Sequence, residues 1–269
     1  MRTSPIRRIS STLARSRATA WRSGHLAERG YREPGEKPRR FYKVVEVAAE
    51  REGHVVLLDG RSLRGPKGSR IVLPTRALAD QVAHEWAEQG ETLDLARMHA
   101  TRLANTALES IPEAREATAQ AVADYAASDL ICYYATDPAG LLERQTRLWS
   151  PLLERAESEL GLRFIRASGI VHQDQPQETL DRVKSIAQRL DDFGLTGLAF
   201  GSSLFGSAVL ALALHAGWLG GQEAFALSRL DETWQEEQWG VDAEAAERTA
   251  GLQAEAAMLQ RWFEGLSAV

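Results

Sequence analysis

At 269 residues the chain has room for one large domain or two ordinary ones, and 44% hydrophobic with 26% charged residues is a globular composition, neither collagen-like nor disordered. A single cysteine, Cys132, excludes an internal disulfide framework and a cysteine-built zinc site, and fits a reducing compartment. The formal net charge of −5 hides an asymmetry: residues 1–40 hold ten Arg and Lys37 against Glu28, Glu33 and Glu36, a net of +8, which leaves −13 on the rest.

Residues 1–39 are rich in Arg and Ser and have no apolar central stretch of the secretory kind. They read as a disordered arm or a mitochondrial transit peptide. A nucleic-acid or membrane adaptor acting through the Arg is a further alternative, but no aromatic interleaving or binding fold accompanies the charge.

The first folded stretch reads as strands. Phe41, Tyr42, Val44, Val45 and Val47 are aromatic or β-branched, and Val55 to Leu58 runs into Asp59-Gly60, a pair suited to a tight hairpin because both residues tolerate positive φ. Ile71, Val72 and Leu73 end at Pro74, completing an antiparallel meander. Thr75 then caps an expected helix with Leu78, Val82 and Trp86 along one apolar face, ended by Gly90. This predicts a small α+β domain over residues 40–110, with Trp86 buried between sheet and helix.

Ser110-Ile111-Pro112-Glu113 has capping-box spacing and opens a helical domain over 111–269. Helices are expected at 114–127, 141–160 (interrupted by Pro151), 177–193, 203–219, 222–238 and 242–266, with a short strand at 162–167. The fold class is therefore α+β: a small antiparallel sheet and helix, followed by an all-α domain. Residues 195–222 carry no charge, which is nearly the length of a membrane span, but Gly194, Gly197, Gly201, Gly206 and Gly217 interrupt them. The apolar run 204–219 is too short to cross and lacks flanking Lys or Arg, so a buried helix is predicted.

Catalytic constellations are not found. Gly201 to Ser207 has the two glycines of a phosphate loop, with Ser207 where the lysine belongs, so small residues for close helix packing are the better reading. His84-Glu85 lacks a second His four residues on, and the six histidines are scattered singly. No metal, cofactor or catalytic residue is expected. The strongest cluster is acidic: Asp231, Glu232, Glu236, Glu237, Asp242, Glu244 and Glu247, with no Lys or Arg among them and with Trp234 and Trp239 between. It reads either as a solvated helix face or as a partner-binding edge, since Trp is favoured at interface hot spots.

Nine collinear strings resemble the alpha-subunit assembly chaperones of F-type ATP synthase. They include Arg40-Phe41-Tyr42-Lys43, Leu58-Asp59-Gly60-Arg61, His84-Glu85-Trp86, Thr101-Arg102-Leu103-Ala104-Asn105, Asp129-Leu130-Ile131-Cys132-Tyr133-Tyr134, Arg144-Gln145, Arg229-Leu230-Asp231-Glu232 and Trp239-Gly240-Val241-Asp242. Gly65, His99 and Ser150 depart from the family pattern at loops and caps. The resemblance implies a non-enzymatic chaperone that binds the free alpha subunit until beta displaces it. It implies no cofactor, nucleic acid or stable membrane insertion, and a monomer when free. The location would be the bacterial cytoplasm, or the mitochondrial matrix if the N-terminal segment is a transit peptide. Partner-binding residues are expected among Asp231, Glu232, Glu236, Glu237, Trp239, Asp242 and Glu244, with Arg102 and Asn105 as a second group. The competing reading is a hydrolase or nucleotide-using factor with Asp231, Glu232 or Glu244 as general acids or metal ligands.

Overall fold

A computed structural model describes residues 37–169, 171–240 and 243–268; the Arg-rich segment 1–36 lies outside them. Strands β1 (Val45–Glu50) and β2 (Gly53–Leu58) pair antiparallel, and β2 also pairs with the short β3 (Arg61–Ser62) and β4 (Val72–Leu73). The expected hairpin forms, with Asp59 at φ 48° and Gly60 at φ 78°. The ladder begins at Val45, four residues after Phe41, because the Asp59 carboxylate takes the N–H groups of Lys43 (3.0 Å) and Val44 (2.8 Å) at the hairpin's end. Those two hydrogen bonds hold the Asp59 carboxyl below the usual range.

Helix α1 (Arg76–Ala87) starts at Thr75, whose hydroxyl accepts from the Leu78 N–H at 3.2 Å. It lays Leu78, Val82 and Trp86 against the sheet. Glu85, on the adjacent face, reaches across to the first turn of α2 (His99–Glu109), accepting from the Ala100 and Thr101 N–H groups at 2.7 and 2.8 Å. A carboxylate from one helix thus caps the next, where Met98 offers no capping side chain.

The remaining helices are α3 (Ile111–Ala127), α4 (Ala139–Leu160), α5 (Gln177–Arg189), α6 (Asp192–Phe205), α7 (Ala208–His215), α8 (Gly221–Ser228), α9 (Leu230–Trp239) and α10 (Ala243–Ser267). Ser110 makes no side-chain capping bond; its N–H closes the end of α2 on Thr106 O, and Pro112 occupies the first turn of α3. The expected helix 177–193 breaks at Leu190, because Asp191 accepts from Gly194 N–H and starts α6. Helix 203–219 breaks at Gly206, which sits at φ 64°, and Ser207 caps α7 through Leu210 N–H. The stretch 162–167 is extended but mostly unpaired. Only Ala167–Ser168 (β6) joins Tyr133–Tyr134 (β5), while the buried Gln175 side chain takes the N–H and C=O of Ile165 at 2.8 and 2.9 Å.

One continuous set of buried side chains runs from the sheet through the helices. Its seam is α1 against α10: Thr75 donates to Gly265 O (2.6 Å) and Gln81 to Arg261 O (2.6 Å). No helix among the described residues is long and apolar enough to cross a membrane.

Candidate functional site

Helix α9 is weakly embedded: of its residues only Leu230 is buried. Helix α4 holds it. Buried Gln145 accepts from the Ala135 N–H and donates to the Asp231 carboxylate, both at 2.7 Å. Arg144 stacks over the Trp234 ring at 4.9 Å and donates to Glu237 at 2.9 Å. The far edge of Trp234 fills the space over Gly140, where a Cβ would lie 2.9 Å from it. Arg229 pairs with Glu236 at 2.9 Å.

These contacts revise the local charge count. Glu236 and Glu237 are not unpaired acids, because Arg229 and Arg144 neutralise them from outside the 231–247 window, and Trp234 is a packing residue rather than a free ring. Burial raises the Asp231 carboxyl above its usual range, partly offset by Gln145, while Arg144 holds that of Glu237 below it. What α9 presents outward is Glu232, the solvent side of Glu236 and Glu237, and Trp239, which is 77% exposed at the helix's last turn. Asp242 and the side chain of Glu244 lie outside the described residues.

Arg102 and Asn105 belong to a different element. Arg102 is exposed on α2. Asn105 is half-buried, with an Oδ1 that finds no donor among the described residues, near Gly65, where a Cβ would approach it to 3.1 Å. The residues that position α9, Arg144, Gln145 and Arg229, belong to strings already singled out, but no local pattern tied them to the acids. The glycine-rich residues 201–206 are the end of α6 and its C-cap, so they do not form a strand-to-helix phosphate loop.

A small antiparallel sheet is carried on a large helical body, with one weakly embedded acidic helix at its surface. The model of the family described as "ATP12 chaperone protein" matches residues 39–157. The structure resembles the crystal structure of Atp12 from Paracoccus denitrificans, with TM-score 0.78 and 36% identity over 84% of this chain and 97% of that one. It also resembles a protein of known structure from Agrobacterium tumefaciens, with TM-score 0.81 and 37% identity over 94% and 99% of the two chains. The protein atp12, mitochondrial, of Schizosaccharomyces pombe is 28% identical over 223 residues, 78% of this chain and 76% of that protein. The chain belongs to the ATP12 family of ATP synthase assembly chaperones.

Proposed function

We propose that this chain binds the free alpha subunit of F-type ATP synthase and holds it for assembly with beta. The contact surface is the outward face of α9, Glu232, Glu236, Glu237 and Trp239, continued by Asp242 and Glu244. Asp231 anchors that helix, and Arg102 with Asn105 forms a separate contact on α2. The protein acts as a monomer without a cofactor, in the bacterial cytoplasm or, where residues 1–39 serve as a transit peptide, in the mitochondrial matrix. The observation that carries the reading is Trp239, a large ring 77% exposed among acids. Such a ring gains most when it enters a partner's pocket, and the acids around it steer a basic surface toward it. Handover to beta requires limited affinity, which suits a polar edge better than a broad apolar one.

Mixing the protein with purified alpha and beta subunits separately is expected to give co-elution with alpha alone; retention of both, or of neither, overturns the assignment. The surface is tested by two variants. Trp239→Ala should weaken alpha binding about thirtyfold, the scale of a hot-spot residue, chiefly through faster dissociation. Glu232→Lys should slow association most at low salt. Trp239→Ala should not move the melting temperature, since the ring stands in solvent, whereas Glu232→Lys also gives up the attraction to Arg229 and is read by its salt dependence. Normal alpha binding by both variants would remove α9 from the interface.

A further inference from the structure

The sheet has an edge with which no strand among the described residues pairs. β1 is its terminal strand, and the hydrogen-bond phase settles which groups face outward. Asp59 N–H donates to Val44 O, and the register Val45↔Leu58 continues unbroken to Glu50↔Gly53. Antiparallel pairs alternate between exchanging both bonds and exchanging none, so Glu46, Ala48 and Glu50 bond to β2. The N–H and C=O groups of Val45, Val47 and Ala49 therefore point away from the sheet. The independent bond from Leu63 N–H to Val56 O, on the far side of β2, agrees with this phase.

Edge strands are normally blunted by Pro, charged side chains (Lys above all), a bulge or extreme shortness, and the only charges on β1 are the outer-face Glu46 and Glu50. β1 is six residues long, with no Pro, no Lys and no bulge. Its inner side chains Val45 and Val47 pack on the core beside α1. On the outer face Glu50 is taken by Arg70 at 2.6 Å, while Glu46 is exposed. The chain entering the strand leaves Phe41 71% and Val44 52% exposed.

We propose that the outer edge of β1 is a second client site, which takes an extended segment alternating apolar and basic residues as an added strand. Main-chain bonds to Val45, Val47 and Ala49 supply the register, apolar residues of the segment continue the layer of Val45 and Val47, and a basic residue lies across from Glu46. A second copy of this chain fits poorly, because edge-to-edge pairing sets the Glu46 residues of both copies along one outer face.

The test uses the full chain and does not depend on the alpha-subunit assignment. A capped peptide alternating Val and Lys is added, with a Val and Glu peptide as control, and backbone amide exchange is followed by NMR. The Val and Lys peptide should slow the Val45, Val47 and Ala49 amides about tenfold or more at saturation, while those of Glu46 and Ala48, already bonded to β2, stay unchanged. The Val and Glu peptide should not. Ala49→Pro removes an outward N–H and no β2 bond, so it should fold and lose the protection at Val45 and Val47; Glu46→Lys should weaken the peptide about threefold. Amides that keep their free exchange rates with saturating Val and Lys peptide overturn the proposal. So does protection that rises with protein concentration alone, which would assign the edge to a second copy.

Discussion

Trp86→Ala is expected to destabilise the protein by about 3–5 kcal/mol, through lost burial and the cavity left behind. For a chain of this size that lowers the melting temperature by roughly 10 °C. Trp86 is 7% exposed and stands at the centre of a layered contact. Its ring lies 5.5 Å from that of Tyr42, whose hydroxyl donates to Trp86 O at 2.6 Å, and Arg40 covers the Tyr42 ring at 4.7 Å. Removing the indole therefore loosens the segment that leads into β1 as well as the helix. Its Nε1 has no acceptor among the described residues, so Trp86→Phe gives up volume but relieves an unsatisfied donor and should cost less than about 2 kcal/mol. Thermal melts of the two variants check this: a Trp86→Ala protein that melts with the wild type would mean that the sheet and α1 do not depend on this ring.

Trp86 was readable because its signals are local: a Thr cap and apolar residues four apart, next to strands closed by Asp-Gly. The same logic failed where a residue's role is set by a distant partner. Gly194 and Gly197 look like interruptions, yet both lie inside α6, as does Gly201, where the reading of small residues for close helix packing holds. A Cβ at Gly197 would stand 2.7 Å from the Phe263 ring, and one at Gly201 2.9 Å from Leu259, so α10 requires glycine there for close approach. Packing against a helix sixty residues away overrode the helix propensity of the segment.

The acidic helix shows the same division. Its charge and its tryptophans are plain in the sequence, and Trp239 does stand in solvent. The partners of Glu237 and Asp231 lie 93 and 86 residues earlier in the chain, on α4. A count confined to a window of seventeen residues therefore overstates the free charge. It also misplaces Trp234, which Arg144 and Gly140 hold against the body.

Asp129 carries the other large expected effect. The carboxylate is fully buried and accepts from Ile131 N–H (3.3 Å) and Val209 N–H (3.0 Å), with Ser207 and Ala208 also donating to it. It thereby ties the turn before β5 to the first turn of α7, eighty residues on. Asp129→Ala leaves these donors buried without an acceptor and should cost about 4 kcal/mol, with loss of folding at elevated temperature. Burial raises the folded-state pKa to about 6 from an ordinary 3.8, outweighing the donors. The folded protein thus binds a proton that the unfolded chain has already released between those two pH values, so this group's contribution is fully present below pH 4 and is lost as pH rises to 6. The loss amounts to about 3 kcal/mol. Asp129→Asn cannot titrate, and its amide turns N–H groups toward donors, so it should be less stable than wild type throughout. The gap in melting temperature between the two should narrow as pH is raised from 4 to 6.5, since the comparison cancels the titration of Glu85, Asp231 and the surface acids. A gap that stays constant over that range would show that Asp129 remains ionised down to pH 4, held there by the four donors that converge on it.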